Sequence, residues 1–115
     1  MPNINNIKLS IIIPCYNEKN TILKLLDLVE EIKSIKKEII VIDDCSSDGS
    51  VELIKNFNFK SEHKLIFHDR NKGKGSCIKS SQELVTGDIV LIQDADLEYH
   101  PNDYLKLIDP IITNK

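Results

Sequence analysis

The chain has 115 residues, a length that predicts a single domain with its own buried core. Its composition, 41% hydrophobic and 29% charged, is typical of a soluble globular protein. With 15 basic and 18 acidic residues the formal net charge is −3, which argues against a nucleic-acid-binding protein, since such proteins usually carry a basic face.

Strand and helix signals alternate along the whole chain. Runs of β-branched residues predict four strands, at residues 8–13, 38–42, 64–67 and 88–92. Apolar residues at helical spacing predict helices at residues 20 to about 34, 50 to about 58, 75 to about 85 and 101 to about 112. Continuously apolar strands joined by single helices favour right-handed βαβ units. The predicted fold is therefore α/β, with three α/β/α layers and a mainly parallel sheet.

Local signals place the ends of these elements. Pro14 is expected to stop the first strand, and Pro110 to kink or end the last helix. Asn20 or Thr21 is a suitable N-cap for the first helix. For the second helix the candidate caps are Ser47 and Asp48.

Three acidic residues follow the fourth predicted strand at every second position: Asp94, Asp96 and Glu98. Alternate residues of an extended backbone point the same way, so these carboxylates are expected to converge on one point. Hard oxygen ligands of this kind suit Mg²⁺ or Mn²⁺, whose shell is often completed by substrate phosphates. The pattern predicts a metal site for a phosphate-bearing ligand; the alternative is a solvated loop with a capping acid.

The polar segments that follow the other strands fall at the same edge of the predicted sheet, where open α/β sheets bind ligands. Asp44 is a candidate acceptor for a base N–H or a ribose hydroxyl, with a turn acid as the alternative, and Asp43 is expected to be structural. Tyr16 is a candidate to lie against a nucleobase, and Glu18 to bind the base or ribose.

A glycine-rich turn, NKGKG at residues 71–75, opens the third predicted helix. It has neither the P-loop nor the dinucleotide-binding spacing. It can still present backbone N–H groups and a cation to an anion at a helix N-terminus, or be only a flexible basic turn. Arg70, Lys72 and Lys74 are equal candidates for diphosphate contact.

The cysteines and histidines carry weaker signals. Cys15, Cys45 and Cys77 form no C-x-x-C pair, so reduced side chains are expected rather than a zinc site, with redox regulation or a reactive thiol as the alternative. His63 and His68 are expected at the surface or at a strand edge.

Four blocks in order resemble family 2 glycosyltransferases, and most closely the branch that transfers mannose or glucose to dolichyl or polyprenyl phosphate. The blocks are SIIIPCYNE at residues 10–18, VIDDCSSDGS at 41–50, NKGKG at 71–75 and GDIVLIQDADLE at 87–98. The resemblance covers nearly the whole chain. It implies the N-terminal half of a GT-A type, Rossmann-like nucleotide-diphospho-sugar transferase that inverts the anomeric carbon.

The resemblance also implies a set of site residues. Those expected to bind the nucleotide-sugar are Pro14, Tyr16, Asn17, Glu18, Asp44, Lys74 and Asp94. The expected ligands of Mg²⁺ or Mn²⁺ are Asp94, Asp96 and Glu98, where Asp94 and Asp96 form the Asp-x-Asp motif. The catalytic base of the family lies in a second half, beyond Lys115 here, so residues 1–115 are expected to form one donor-binding domain.

The implied partners are a nucleotide-diphospho-sugar and a polyprenyl-phosphate acceptor, with peripheral membrane contact and a homo-oligomer as further expectations. No secretory signal and no apolar run near the roughly 18 residues that span a bilayer are found, so a cytoplasmic protein is expected, at the inner face of the membrane. Two rival functions are a non-catalytic module that binds a nucleotide-sugar or a partner, and a receiver-type signalling domain. The positions of the acids argue against the receiver.

Overall fold

The computed structural model describes residues 6–97, which contain four strands and three α-helices. In chain order they are β1 (Lys8–Cys15), α1 (Ile22–Glu31), β2 (Lys36–Asp43), α2 (Ser50–Asn56), β3 (Glu62–Phe67), α3 (Lys74–Ser81) and β4 (Ile89–Ile92). A short 3₁₀ turn, Gln82–Leu84, follows α3. The predicted helix at 101–112 and the metal candidate Glu98 lie outside the described residues.

The four strands form one parallel sheet in the order β3-β2-β1-β4. From β1 the chain builds outward through β2 and β3, then returns to place β4 on the other side of β1. The strand order therefore reverses between β1 and β4. Open α/β sheets bind ligands at the carboxyl edge beside such a reversal, so the topology directs attention to the ends of these two strands.

Both faces of the two central strands are buried, which produces the predicted three layers. On one face, Ile11 and Ile13 of β1 pack in a cluster with α1 and with Ile54 of α2. On the other face, Ile12 joins Ile40 and Ile42 in a second cluster with Cys77 of α3. This double burial explains why these strands are apolar throughout, without polar alternation. The α/β class and the parallel sheet are confirmed.

The first three strands are longer than predicted, the fourth is one residue shorter, and Pro14 does not stop β1. The strand continues through Pro14, paired with Ile42, to Cys15. Gln93 N donates to Ile12 O on the β4 side at 2.8 Å, and Asp44 N donates to Cys15 O on the β2 side at 2.8 Å. By alternation, the nitrogen of Pro14 faces the β4 side, where β4 has already ended. The missing N–H therefore costs no hydrogen bond of the ladder.

The helices are shorter than predicted at their carboxyl ends. The first helix ends at Glu31, because Ile32 is already extended. The third ends at Ser81 and passes into the 3₁₀ turn. The predicted caps of the second helix, Ser47 and Asp48, are wrong: the N-cap of α2 is Gly49, with φ of 104°, and no side chain makes a capping bond there. Asp48 lies one residue earlier and its Oδ1 accepts from Ser50 N at 3.0 Å.

The amino edge of the sheet is held by a buried carboxylate. Glu38 accepts hydrogen bonds from the Ser10 hydroxyl at 2.5 Å, from the Lys64 ammonium at 2.8 Å and from Thr86 N at 2.7 Å. Burial by itself would raise the pKa of Glu38, but these bonds lower it to about 2. This network joins three strands and the segment before β4, at the edge opposite to the polar loops.

Candidate functional site

A cavity of about 290 Å³ opens at the carboxyl edge of the sheet, where β1, β2 and β4 end and α3 begins. Six of the seven residues predicted to bind the nucleotide-sugar line it: Pro14, Tyr16, Glu18, Asp44, Lys74 and Asp94. Asp96, a predicted metal ligand, lines it as well, together with Cys15, Cys77 and Ala95. Residues far apart in the chain thus meet because parallel strands end at the same edge.

The segment after β1 shapes one side of the cavity. Tyr16 is half-exposed, so its ring presents an open face. Glu18 O accepts hydrogen bonds from Thr21 N and Ile22 N, which fixes the start of α1. The Asn17 side chain is directed elsewhere: it does not line the cavity, and its Oδ1 accepts from Ser47 N at 2.8 Å. The role predicted for Asn17 in ligand binding stays a prediction, and its observed contact joins two loops.

The two acids that end β2 differ in their surroundings. Asp43 lies within its own turn and accepts from Ser46 N at 2.8 Å and from the Ser46 hydroxyl at 2.7 Å, a structural arrangement as expected. The Asp44 carboxylate is buried and reaches the turn before α3, where it accepts from Lys72 N at 2.9 Å and from Gly73 N at 2.8 Å. Asp44 therefore lines the cavity and also holds a neighbouring loop.

His68 was predicted at the surface or at a strand edge, and its backbone does follow the edge strand β3. The side chain, however, is only 4% exposed. Its Nδ1 lies 2.8 Å from Asp44 Oδ1 and its Nε2 lies 2.9 Å from the Ser80 hydroxyl. Burial would raise the pKa of Asp44, but the bonds from His68 and the turn lower it, so the carboxylate is ionised. Sequence patterns carry no signal for this contact, because its partners lie in three separate elements.

Cys77 completes a group with Asp44 and His68 whose ligand atoms all lie within 4.8 Å of one another. Burial, followed by the charge of Asp44, raises the pKa of the Cys77 thiol to about 11, so the sulfur stays protonated at neutral pH. A thiol is a poor metal ligand compared with a thiolate, and Asp44 and His68 already bond each other. The group is therefore explained by hydrogen bonding and packing.

The structure distinguishes among the three cations of the turn before α3. Lys74 lines the cavity, whereas Arg70 and Lys72 do not. The Lys74 ammonium lies 2.5 Å from Asp94 Oδ1, across the opening. Gly73 precedes the helix with φ of 93°, a conformation that L side chains rarely adopt, so the glycine allows the chain to enter α3 from this direction.

The loop after β4 carries the acidic pair. Asp94 and Asp96 both line the cavity, but so does Ala95 between them. The chain turns at Ala95 and Asp96, so the extended alternation on which the prediction relied does not continue past β4. The loop is held from α1, because the Thr21 hydroxyl donates to Ala95 O. Thr21 was considered only as an N-cap, and it makes no capping bond from its side chain. Two carboxylates on one cavity wall give a hard oxygen donor set.

Fold and site together define an α/β protein with an acidic cavity at the reversal point of a parallel sheet. The profile described as glycosyl transferase family 2 matches residues 10–115. Because that match covers nearly the whole chain, the protein belongs to glycosyl transferase family 2. The resemblance seen in its four sequence blocks is thereby confirmed.

Curated relatives support the assignment. The chain is 32% identical over 105 residues to a dolichol-phosphate mannosyltransferase of Pyrococcus furiosus, covering 90% of this chain and 30% of the relative. It is 37% identical over 113 residues to an undecaprenyl-phosphate 4-deoxy-4-formamido-L-arabinose transferase of Aeromonas hydrophila subsp. hydrophila, covering 93% and 35%. The chain thus spans about a third of the length of these relatives.

Among solved structures, the mannosyltransferase PcManGT of Pyrobaculum calidifontis, determined in complex with GDP-Man and Mn²⁺, is similar with a TM-score of 0.72 and 29% identity. The similarity covers 76% of this chain and 27% of that one. Within residues 6–97, no helix combines the length and the apolar character that crossing a membrane requires.

Proposed function

We propose that this chain is the donor-binding part of a glycosyltransferase that moves a sugar from a nucleotide-diphospho-sugar to an acceptor, with inversion. A polyprenyl phosphate is the favoured acceptor, because the curated relatives described above act on such lipids. The observation that carries the proposal is the cavity itself, where Asp44, Lys74 and the acidic pair after β4 line one space at the strand-order reversal.

Four of the cavity residues have a chemistry that suits contact with a nucleoside diphosphate. The half-exposed ring of Tyr16 offers a flat apolar face to a nucleobase. An ionised carboxylate has about four acceptor positions, and described residues fill three of those of Asp44, which leaves one for a base N–H or a ribose hydroxyl. Glu18 and Lys74 both line the cavity, which supports a role for the Glu18 carboxylate as acceptor from the base or ribose and for the Lys74 ammonium in contacting the diphosphate.

A divalent cation, Mg²⁺ or Mn²⁺, is part of the same proposal. The space beside the Asp94 carboxylate favours positive charge, because the Lys74 ammonium already lies there. Asp94 and Asp96, with Glu98 from the sequence pattern, would hold the ion. Such an ion, when bound, acts as a Lewis acid that neutralises charge on a leaving nucleoside diphosphate.

Calorimetric titration of the chain with GDP and with UDP, each in the presence and absence of MnCl₂, tests the proposal. The Asp96→Ala variant is expected to lose the metal-dependent part of the binding. The control is Asp69→Ala, because Asp69 is exposed and does not line the cavity. Its Oδ1 lies 3.9 Å from the Lys72 ammonium. Metal-dependent binding that survives unchanged in Asp96→Ala would exclude the ligand role of Asp96.

Sugar transfer separates binding from catalysis. Because the chain spans about a third of its relatives, we expect it to bind a donor with weak or no transfer to a lipid phosphate. Efficient transfer by the purified 115-residue chain would show that the catalytic base lies within it.

A second candidate function is a non-catalytic module that binds a nucleotide-sugar or a partner. Val90 and Ile92 of β4 favour it, since these apolar side chains are 49% and 42% exposed in the described part of the chain. Self-association measured by light scattering would support this candidate, and a sharp monomer would argue against it. The receiver-type alternative disagrees with the sheet, whose order is 3-2-1-4 rather than 2-1-3-4-5.

A further inference from the structure

His68 is a buried imidazole for which the proposed function has no use. Its backbone N–H extends the β2–β3 pairing by donating to Asp43 O at 2.9 Å, and this places the side chain beneath the cavity. Both ring nitrogens have partners: Asp44 Oδ1 at 2.8 Å from Nδ1, and the Ser80 hydroxyl at 2.9 Å from Nε2. The imidazole thus connects the end of β2 to the carboxyl end of α3.

The partners determine which nitrogen carries the proton. The Asp44 carboxylate is ionised and can only accept, so Nδ1 must be the donor. In the neutral ring Nε2 is then an acceptor, and the Ser80 hydroxyl donates to it. The result is a directed chain of hydrogen bonds from Ser80 through His68 to Asp44.

Both oxygens of the Asp44 carboxylate also hold the turn before α3. Lys72 N donates to Oδ1 and Gly73 N donates to Oδ2, so the orientation of the carboxylate fixes both peptides. The next residue is Lys74, whose ammonium lies at the cavity against Asp94. Any rotation of Asp44 would therefore move one acceptor of the cavity and disturb the backbone that carries its cation.

We propose that His68 is a positioning residue of the nucleotide-sugar site: by donating from Nδ1 it locks the Asp44 carboxylate in the orientation that leaves one acceptor facing the cavity and holds the turn of Lys74 in place. The inference rests on the proposed function, since it names a residue that prepares the same cavity. His68 itself does not line the cavity, so it acts through Asp44.

Three substitutions separate the hydrogen bond that His68 donates to Asp44 from the packing of the imidazole ring. In His68→Asn the side-chain amide can take the place of Nδ1–H and restore the bond to Asp44. In His68→Gln the amide lies farther along the side chain, near the position of Nε2, and in His68→Leu the donor is absent. The matched control is His63→Leu, because His63 is exposed on β3, five residues earlier, where it hydrogen-bonds Ser61 O, stacks on Phe59 and does not line the cavity.

The measurements are the dissociation constants of GDP and UDP with MnCl₂, by calorimetry on the full chain. His68→Leu and His68→Gln are expected to weaken binding about tenfold or more, the effect of losing a hydrogen bond to a charged group. His68→Asn is expected to recover most of the affinity, and His63→Leu to equal the wild type. If His68→Leu fails to fold, the dissociation constants of His68→Asn and His68→Gln are compared instead. Equal constants would show that a donor at the position of Nδ1 is not needed.

A spectroscopic test is independent of nucleotide binding. Imidazole ¹⁵N shifts of the ligand-free chain are expected to show His68 protonated at Nδ1, where the signal of His68, one of three histidines, is assigned as the one that disappears in His68→Asn. A neutral His68 protonated only at Nε2 would overturn the proposal, as would equal nucleotide affinities in His68→Asn and His68→Leu. Absence of nucleotide binding in the wild type would instead overturn the proposed function.

Discussion

The Lys74 ammonium lies 2.5 Å from Asp94 Oδ1, so the start of α3 and the loop after β4 are joined across the cavity. Both side chains are half-exposed, and such pairs contribute at most about 1 kcal/mol to stability. The pair therefore matters less for folding than for the charge of the cavity, which is lined by one lysine and four acidic residues.

Replacing Lys74 by Met should weaken binding of a nucleoside diphosphate several-fold, because the cavity loses its positive group. The free energy of unfolding should change by less than about 1 kcal/mol. Lys72→Met is the matched control, since Lys72 belongs to the same turn and does not line the cavity. Calorimetry and thermal melting measure the two effects. Equal loss of affinity in both variants would mean that general positive charge is involved rather than a specific contact.

Gly87 lies against β1 with no space for a side chain. A Cβ added there would overlap Ser10 Oγ and would lie 2.8 Å from Ser10 N and 2.9 Å from Lys8 O. Two of these atoms are backbone, so Gly87→Ala must displace the segment before β4 and should destabilise the fold by about 3 kcal/mol.

The matched control for this substitution is Gly75→Ala. Nothing lies within 4 Å of a Cβ at Gly75, and the residue is helical. The melting temperature of the Gly75→Ala variant should stay the same or rise, because alanine stabilises a helix by up to about 1 kcal/mol relative to glycine. A Gly87→Ala variant that melts with the wild type would show that β1 and the preceding segment are not in close contact.

Glu38 should make the fold sensitive to acid. Its pKa is lowered from 4.5 to about 2 in the folded protein, so its contribution is fully present above the unfolded value and is lost as the pH falls from about 4.5 to about 2. That shift corresponds to roughly 3 kcal/mol. Denaturant unfolding across this range should show a flatter pH dependence for Glu38→Gln, with lower stability at pH 7 because a buried amide donor then faces other donors.

Glu62→Gln provides the comparison for this experiment. Glu62 also contacts Lys64, at 3.7 Å, but it is exposed. Its replacement should leave the acid dependence close to that of the wild type. If the free energy of unfolding of both variants changed with pH as steeply as that of the wild type, the acid sensitivity would arise from other carboxylates.

One of the three thiols should react in the native protein. Burial, with the charge of Asp43 as the next cause, raises the pKa of Cys15 to about 12, and burial raises that of Cys77 to about 11, so both remain unreactive thiols. Cys45 is exposed. A thiol reagent at pH 8 should label Cys45 alone, and all three after denaturation; rapid labelling of native Cys45→Ser would contradict this.

Local patterns in the sequence predicted most of the architecture. Continuous apolar runs indicated strands buried on both faces, and the helical spacing of apolar residues indicated α1, because burial acts on each segment separately. The polar loops were expected at one edge, and Asp44, Lys74, Asp94 and Asp96 do line one cavity there. Element ends were less well predicted, as Pro14 shows: whether it interrupts a strand depends on which neighbour faces its nitrogen.

The sequence by itself determined the alternation of strands and helices and the acidic pair after β4, since these features arise from neighbours along the chain. Only the tertiary structure decided that Lys74 rather than Arg70 or Lys72 faces the cavity, that Asn17 bonds a loop, and that His68 is buried against Asp44. The physical reason is that hydrogen bonds between distant residues depend on strand order and helix placement, which no local pattern encodes.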